Sequence, residues 1–225
     1  MSILRSIADD KPRDDKPARV SRAQDPDGVK RDILAVAREE FSRKGFAGAR
    51  VDEIAARTRT SKRMIYYYFG DKERLYIAVL EDVYSGIRAL EKTLDLDGLE
   101  PEQALTALVS FTFDYQSQNA DFVRVIMNEN IHEAVHLKRS QAMPKVNAGA
   151  IDSLARIITR GQKTNVFRNP LDPVDLHMTI SALSFFNVSN RATFSAIFKT
   201  DMTSPAALAV RRAQVVETVL RYARR

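Results

Sequence analysis

Cysteine is absent from the 225-residue chain, and no apolar run approaches the length of a membrane-spanning helix. Without cysteine the chain can form neither a disulfide nor a thiolate metal site. The N-terminus carries charges but no apolar segment before a cleavage site, so it does not resemble a secretory signal. These absences predict a cytoplasmic protein without membrane contact, and we predict no cofactor.

Strand patterns are also missing, whereas apolar residues recur at helical spacing along most of the chain. The predicted fold class is therefore all-α. Residues 1–28 hold three prolines and almost no apolar periodicity, which indicates a disordered arm. Residues 29–75 predict a small domain of three helices, a fourth helix links it to the rest, and residues 95–225 predict a larger helical domain.

Capping residues and glycines predict several helix ends. Gly45 and Gly161 predict helix ends, and Ser61 and Asp71 predict helix starts. The predicted helices span residues 29–44, 51–58, 61–67, 72–94, 101–119, 121–130, 144–160, 172–198 and 204–225.

Positive charge is concentrated in one small part of the chain. Residues 29–75 hold 12 Lys and Arg against 7 Asp and Glu, whereas residues 76–225 hold 17 against 16 and residues 1–28 hold 6 against 6. A basic surface confined to one small domain indicates a polyanionic partner. On charge alone, a solvated charged surface explains the same numbers equally well.

The stretch from Val51 to Leu75 gives this charge a structural setting. It predicts two short helices joined by a tight turn, followed by the start of a long helix. The second short helix carries cations and aromatic residues side by side, namely Lys62, Arg63, Tyr66, Tyr67 and Tyr68. A short helix of this kind, supported on another helix, fits the major groove of DNA. The segment therefore favours a DNA-binding regulator over an enzyme.

The segment GFAGARVDEIAARTRTSKRMIYYYFGDKERL resembles the N-terminal signature of the TetR (tetracycline-repressor) family of bacterial regulators. The matching positions are Gly45-Phe46, Ile54-Ala55, Ser61, Tyr66, Tyr68-Phe69, Lys72-Glu73 and Leu75. The resemblance implies a helix-turn-helix DNA-binding domain at 29–75 and an effector-binding and dimerisation domain at 95–225. It also implies a homodimeric repressor that a small molecule releases from a palindromic operator of double-stranded DNA.

Two later stretches, MNENIHEAVHLKRS and FFNVSNRATFSAIF, resemble a subgroup whose members often control catabolic genes. Four positions depart from the family pattern. Arg59 and Arg63 stand where the family has Gly, and Ala49 and Arg50 stand where it has Thr. A residue other than glycine in a left-handed turn costs about 1 kcal/mol or more. Two explanations stay open: the turn differs slightly from that of the family, or a contact between Arg59 and a phosphate offsets the cost.

The resemblance and the side-chain chemistry together predict the DNA contacts. Lys62 and Arg63, in the first turn of the third helix, can donate to guanine O6 and N7. Tyrosine hydroxyls and ring faces suit phosphates and thymine methyl groups. Tyr68 and Lys72 resemble the family's phosphate clamp, and Lys72 stands at a helix N-terminus, which favours an anion. The predicted DNA-binding residues are Arg50, Ser61, Lys62, Arg63, Tyr66, Tyr67, Tyr68 and Lys72.

Residues 132–136 spell H-E-x-x-H, the pattern of zinc peptidases. On a helix, His132 and His136 would share one face and could meet one zinc ion. A catalytic site needs a third ligand, and no glutamate occurs between residues 137 and 216. Asp152 and His177 belong to no zinc-binding pattern. We therefore predict no catalytic or metal residue, and we expect His132 to line a ligand pocket or to make a hydrogen bond in the core.

The C-terminal domain carries polar and aromatic residues on helices that should converge, as in small-molecule sites. The candidate effector residues are Tyr115, Arg124, Asn128, Glu129, His132, His177, Phe185 and Asn187. The last two helices are rich in apolar residues, which predicts a dimer face formed by Leu176, Ile180, Leu183, Val216 and Leu220. Two other functions stay open: a zinc-dependent hydrolase using His132, Glu133 and His136, and a DNA-compacting protein without an effector.

Overall fold

The computed structural model describes residues 25–58 and 60–225, and its regular structure there consists of ten α-helices and a short 3₁₀ helix at Leu137–Arg139. The α-helices are α1 (Pro26–Gly48), α2 (Val51–Thr58), α3 (Lys62–Phe69), α4 (Lys72–Glu91), α5 (Pro101–Gln118), α6 (Ala120–Ile131), α7 (Met143–Lys163), α8 (Pro173–Ser189), α9 (Arg191–Phe198) and α10 (Pro205–Ala223). Within the described ranges, β-pairing is limited to an isolated bridge between Phe167 and Arg224. The all-α prediction is confirmed. Residues 1–24 of the predicted arm and Arg59 lie outside the described residues.

Both ends of α1 follow from local sequence. Asp25 accepts a 2.8 Å hydrogen bond from the amide of Gly28, and Pro26 opens the helix. The helix therefore begins before residue 29, where the sequence predicted its start. At Gly45 the backbone φ is +66°, which breaks the regular helix at the predicted position, and one further turn continues to Gly48.

Helices α2 and α3 form the helix-turn-helix, and capping residues set the ends of α3. The Ser61 hydroxyl accepts a hydrogen bond from the amide of Met64 at 3.2 Å. The helix ends at Gly70, whose φ of +85° does not continue a helix. Asp71 then caps α4 by accepting from the amide of Arg74 at 2.8 Å. These caps confine α3 to about two turns.

Two hydrophobic cores hold the helices together. The first unites α1 to α4 around the buried side chains of Phe41 and Tyr76, and it also takes in Phe122, Val123 and Val125 of α6. The second core is built mainly from α5, α7, α8 and α10. Helix α6 therefore packs with the N-terminal helices although it lies in the C-terminal half of the sequence. Among the described residues, no helix combines the length and hydropathy needed to cross a membrane.

Two expectations about the C-terminal helices are wrong. Gly161 does not end α7, which continues to Lys163. Instead, Gly161 is buried where an added Cβ atom would lie 2.1 Å from the Phe167 ring, so the glycine makes room for a core aromatic. The helix predicted at 172–198 is interrupted at Asn190, which separates α8 from α9.

Candidate nucleic-acid interface and ligand cavity

Helix α3 buries one side and exposes the rest. Ile65 is fully buried, whereas Tyr67 is 77% exposed. Lys62, Arg63 and Tyr66 are exposed as well. The predicted base-reading residues thus lie on the outer surface of a short, capped helix, which is the arrangement that a groove-binding helix requires.

The Lys62 ammonium is already paired within the protein. Its Nζ lies 3.0 Å from Asp52 Oδ1 on α2 and 6.0 Å from the centroid of the Tyr66 ring. Hydrogen bonding to Asp52 raises the pKa of Lys62. Both side chains are about half exposed, so the ion pair contributes little to stability. Lys62 can therefore leave Asp52 for a base edge at small cost.

The residues of the predicted phosphate clamp lie at the end of α3 and the start of α4. Lys72 Nζ donates to the Ala47 carbonyl at 3.3 Å and lies 4.9 Å from the centroid of the Phe46 ring. Burial lowers the pKa of Lys72. Tyr68 is half-buried against the first core, and the Lys30 ammonium lies 5.7 Å from the centroid of its ring. Lys72 thus ties the start of α4 to the last turn of α1.

Arg50 and Ser61 occupy the positions just before α2 and α3. Arg50 is exposed, and its carbonyl accepts hydrogen bonds from the amides of Glu53 and Ile54 at 3.1 and 3.2 Å. Ser61 is also exposed, and its hydroxyl is used as the cap of α3. Ser61 therefore serves the fold, while the Arg50 side chain stays at the surface.

The H-E-x-x-H segment does not form the helix that its zinc interpretation requires. Helix α6 ends at Ile131, and Glu133 and Ala134 follow with φ of +56° and +57°. His132 is exposed, whereas His136 is buried. Among the residues that the structure describes, no three side chains form a metal-binding group. The two imidazoles do not share a helix face, and the expectation of a pocket or core position for His132 is wrong.

The buried carboxylate of Glu129 holds the loop of residues 132–136, the α6 loop, against the N-terminal helices. Oε1 accepts hydrogen bonds from the amides of His136 and Leu137, both at 2.8 Å, and Oε2 lies 2.9 Å from His136 Nδ1. The His136 ring centroid lies 4.3 Å from that of Phe46 and 4.9 Å from that of Tyr76. Because the loop holds two left-handed residues at about 1 kcal/mol or more each, the Glu129 hydrogen bonds stabilise a strained conformation.

A cavity of about 420 Å³ lies among α4, α5, α6 and α8. Most of its wall is apolar, with Tyr84, Phe122 and Phe185 as the aromatic members. Its larger polar side chains are those of Arg88, Glu91, Gln116, Asn130 and His177. Desolvation lowers the pKa of His177, so the imidazole is uncharged at neutral pH. A largely apolar cavity with a few polar groups is typical of a small-molecule site.

Two of the eight predicted effector residues, His177 and Phe185, line this cavity. Tyr115 lines a separate groove of about 1000 Å³ between α4, α5 and α10. Arg124 and His132 are exposed, and Asn187 is buried beside a third cavity. The structure therefore does not gather the eight residues into one site.

The remaining two predicted effector residues lie on the side of α6 that faces α1. Asn128 Nδ2 donates to the Phe41 carbonyl at 3.2 Å, and Glu129 binds the α6 loop. The cavity is lined from α6 by Phe122, Ile126 and Asn130, which recur every four residues. Because a helix presents different residues to its two sides, Asn128 and Glu129 contact the N-terminal helices instead of the cavity.

Sequence reasoning missed the part of the lining that comes from α4. Tyr84, Ile87, Arg88 and Glu91 lie three or four residues apart and share one face of that helix. The sequence signal that could have revealed it is the pair of opposite charges, Arg88 and Glu91, on a face of α4 that is otherwise apolar. The sequence could not show which other helices cover that face.

The larger groove is a weaker candidate for a ligand site because its charged groups are already paired. Arg212 Nε lies 2.9 Å from both carboxylate oxygens of Asp114. Arg224 makes two hydrogen bonds of 2.8 Å to Glu102. These pairs join α5 to α10 and satisfy groups that a ligand would otherwise bind.

The five residues predicted for the dimer face lie in or against the second core. Leu176 and Ile180 are buried there, and the other three are partly buried. Helices α8 and α10 instead expose Met178, Phe186 and Val210, which are 63%, 43% and 59% exposed. We call these three residues the α8/α10 surface. Phe186 and Val210 border one common cavity, so the two helices contribute to a single exposed apolar area.

Two family profiles match the chain. The profile described as bacterial regulatory proteins, tetR family, matches residues 33–79. The profile described as tetracyclin repressor-like, C-terminal domain, matches residues 101–219. The first range runs from α1 into α4, and the second runs from α5 into α10.

Individual proteins match as well. HTH-type transcriptional repressor NicS of Pseudomonas putida is 37% identical over 204 residues, which are 91% of this chain and 96% of that protein. HTH-type transcriptional repressor SCO4008 of Streptomyces coelicolor is 34% identical over 109 residues, 48% of this chain and 53% of that protein.

Solved structures share the fold. The transcriptional regulator SCO4942 from Streptomyces coelicolor aligns with a TM-score of 0.64 and 30% identity over 85% of this chain and 96% of that chain. A tetR-family regulatory protein from Rhodococcus aligns with a TM-score of 0.68 over 87% of this chain and 96% of that chain. At 21% identity, this second likeness shows the fold alone.

Proposed function

Because this chain belongs to the TetR family of bacterial regulatory proteins, we propose that it is a transcriptional repressor that a small molecule releases from a palindromic operator. The relatives with matching sequences are transcription regulators, and two of them are named repressors. The observation that carries the proposal is the outer surface of α3, where cations and tyrosines are exposed on a capped helix.

The proposed DNA contacts follow from the position of each side chain. Lys62 and Arg63 in the first turn of α3 read guanine edges, and the Lys62–Asp52 pair opens to allow this. Tyr66 and Tyr67 contact phosphates or thymine methyl groups beside them. Lys72, at the N-terminus of α4, holds the DNA backbone.

The experiment that tests this function selects binding sites from random double-stranded DNA. We expect a two-fold symmetric sequence whose affinity exceeds that of its scrambled version by about 10³-fold or more at physiological salt. A ratio near one would instead identify a DNA-compacting protein. No binding to either DNA would remove the regulator function altogether.

The dimer is proposed to form through the α8/α10 surface. An exposed apolar area on helices that are otherwise packed into a core marks an interaction site. A second copy of the chain is the partner that a palindromic operator requires, because a two-fold protein matches a two-fold DNA site. The buried residues Leu176 and Ile180 take no part in this face.

Release by a ligand is proposed to act through α6. One side of this helix lines the cavity with Phe122, Ile126 and Asn130. Its other side is bonded to α1 through Asn128 and through Asp121, which lies 2.6 Å from Arg38. A ligand that displaces α6 would thus move the N-terminal helices, provided that it binds the displaced state more tightly.

Control of catabolic genes is proposed as the biological setting. The support is the resemblance of residues 127–140 and 185–198 to a subgroup with that role. These residues contain the α6 loop and the end of α8. The first test is whether growth substrates relieve repression of a reporter under the selected operator.

A further inference from the structure

We propose that the cavity among α4, α5, α6 and α8 binds an uncharged aromatic compound that bears a hydrogen-bond donor and a carbonyl-type acceptor, such as an aromatic amide. The inference rests on the proposed function, because the cavity is the effector site of that function. It is carried by the buried polar atoms of the cavity, by its charge balance and by its aromatic wall.

The requirement for a donor comes from Gln116 of α5. This side chain is 4% exposed and lines the cavity, and its Oε1 accepts no hydrogen bond from any described residue. A buried carbonyl oxygen without a donor is unfavourable, because it has lost its water and gained nothing in return. A ligand N–H or O–H group would supply the missing hydrogen bond.

The requirement for an acceptor comes from Arg88 of α4. Its Nη1 is bonded to the Glu91 carboxylate, whereas its buried Nε has no partner among the described residues. Guanidinium N–H groups can only donate. A carbonyl oxygen of the ligand would accept a hydrogen bond from this Nε–H group.

The charge balance of the cavity favours an uncharged ligand. Arg88 and Glu91 neutralise each other, and the two other titratable groups of the lining, Tyr84 and His177, are uncharged at neutral pH. Burial raises the pKa of Tyr84 and lowers that of His177. A carboxylate or ammonium group would therefore add an unbalanced charge to a largely apolar space.

The shape of the lining favours a flat ring. Phe122 and Phe185 stand among aliphatic side chains, and aromatic surfaces pack well against a planar ligand. Val174 and Met178 of α8 also line the cavity and are 57% and 63% exposed, so they form its rim. The volume of about 420 Å³ is near the lower end of ligand cavities, which suits a one- or two-ring compound.

The test uses four probes and the full chain. Binding of 2-naphthamide, benzamide, methyl 2-naphthoate and 2-naphthoate is measured by calorimetry. We expect 2-naphthamide to bind about tenfold more tightly than methyl 2-naphthoate, which lacks the donor, and the 2-naphthoate anion to bind most weakly. Tighter binding of the anion, or no binding of either amide at millimolar concentration, would overturn the proposal.

A variant separates a ligand contact from a structural role. Gln116→Leu should weaken 2-naphthamide binding about tenfold without changing the affinity for methyl 2-naphthoate. Because Oε1 has no partner in the free protein, the same change should leave its melting temperature equal or higher. The matched control is Gln103→Leu, an exposed position on the same helix, which should alter neither quantity. A lower melting temperature with unchanged amide affinity would show a structural role and refute the proposal.

Operator binding distinguishes this inference from the proposed function. If 2-naphthamide binds and displaces the selected operator, both stand. If the protein binds its operator but no amide binds, the ligand class is wrong and the regulator remains. If no operator is found although 2-naphthamide binds, the ligand class stands and the proposed function fails.

Discussion

The candidate nucleic-acid interface and the candidate ligand cavity are built in opposite ways. Most residues of the candidate interface lie on α3 or within four residues of it, and most of them are exposed side chains on helices set by local caps. The cavity draws its lining from four helices that span residues 84 to 185, and most of the lining side chains are buried or half-buried. A function that works on an outer surface needs only one well-placed helix, whereas an enclosed site needs the whole tertiary arrangement.

The two regions also differ in how their polar groups are satisfied. Lys62 of the interface is paired with Asp52 at the surface, where solvent screens the interaction. Gln116 and Arg88 of the cavity have buried atoms without a partner. On binding DNA, the interface would therefore exchange weak contacts for DNA contacts, whereas on binding a ligand the cavity would gain contacts that the free protein lacks.

The largest loss of operator affinity should come from a change in the proposed dimer face, which lies outside α3. Phe186→Glu, or Val210→Glu, places a charge in the proposed dimer face. Because two linked half-site contacts become one, operator affinity should fall by about 10²-fold or more. Sedimentation should show a monomer near 25.4 kDa.

Leu90→Glu is the control for the dimer variants, because Leu90 is an apolar residue of α4 that is 49% exposed. It should remain a dimer with full operator affinity. If the Phe186 and Val210 variants also remain dimers, the two copies meet elsewhere.

The next prediction concerns the stability of the α6 loop, which joins the cavity side of the protein to the N-terminal helices. Glu129→Leu removes the acceptor of three hydrogen bonds in the α6 loop and leaves buried donors without partners. We expect the free energy of unfolding to fall by about 3 kcal/mol, measured by urea denaturation. Glu133→Gln, in the same loop but exposed, should change neither stability nor operator binding. Equal stability of both variants would show that the α6 loop does not hold the N-terminal helices.

A smaller effect is expected at the base-reading positions. Lys62→Ala or Arg63→Ala should each cost about 1–3 kcal/mol of operator affinity and relax the preference at one or two base pairs. Affinity for scrambled DNA should change much less. Arg156→Ala on α7 serves as a control for lost positive charge. Should operator and scrambled DNA lose equal affinity in the α3 variants, α3 is not the reading helix.

The smallest effect is expected at the phosphate clamp. Lys72→Ala should weaken binding to every DNA sequence alike and reduce the slope of log affinity against log salt by about one unit. Titrations of operator and scrambled DNA across salt concentrations measure this slope. Thermal unfolding serves as the control, because Lys72 also bonds the Ala47 carbonyl. A loss confined to the operator would make Lys72 a base reader.

The starts and ends of the interface helices could be predicted because they depend on near neighbours. Gly45 breaks α1 and Ser61 and Asp71 cap α3 and α4, as the sequence predicts. The end of α4 was predicted at about residue 94, three residues beyond Glu91. Caps and left-handed turns involve hydrogen bonds across three or four residues, so short sequence windows contain their causes.

The wrong expectations share a different origin. In the sequence Gly161 indicates a helix end, but the structure shows that a glycine stands there because a larger residue would clash with the Phe167 ring. Leu176 and Ile180 read as part of a dimer face, but both are buried in the chain's own second core. In each case the deciding contact comes from another element.

The sequence by itself determined the helical class, the family and the residues of α3 that face outward, because these follow from periodicity, capping and a dense local signature. The tertiary structure alone decided which faces of α4, α5, α6 and α8 enclose a cavity and which side of α6 contacts α1. Helical spacing shows that a face exists, but not which other helix covers it. Which helices cover one another depends on packing between residues far apart in the chain. This packing places Gln116 and Arg88 in the cavity and Glu129 against the α6 loop.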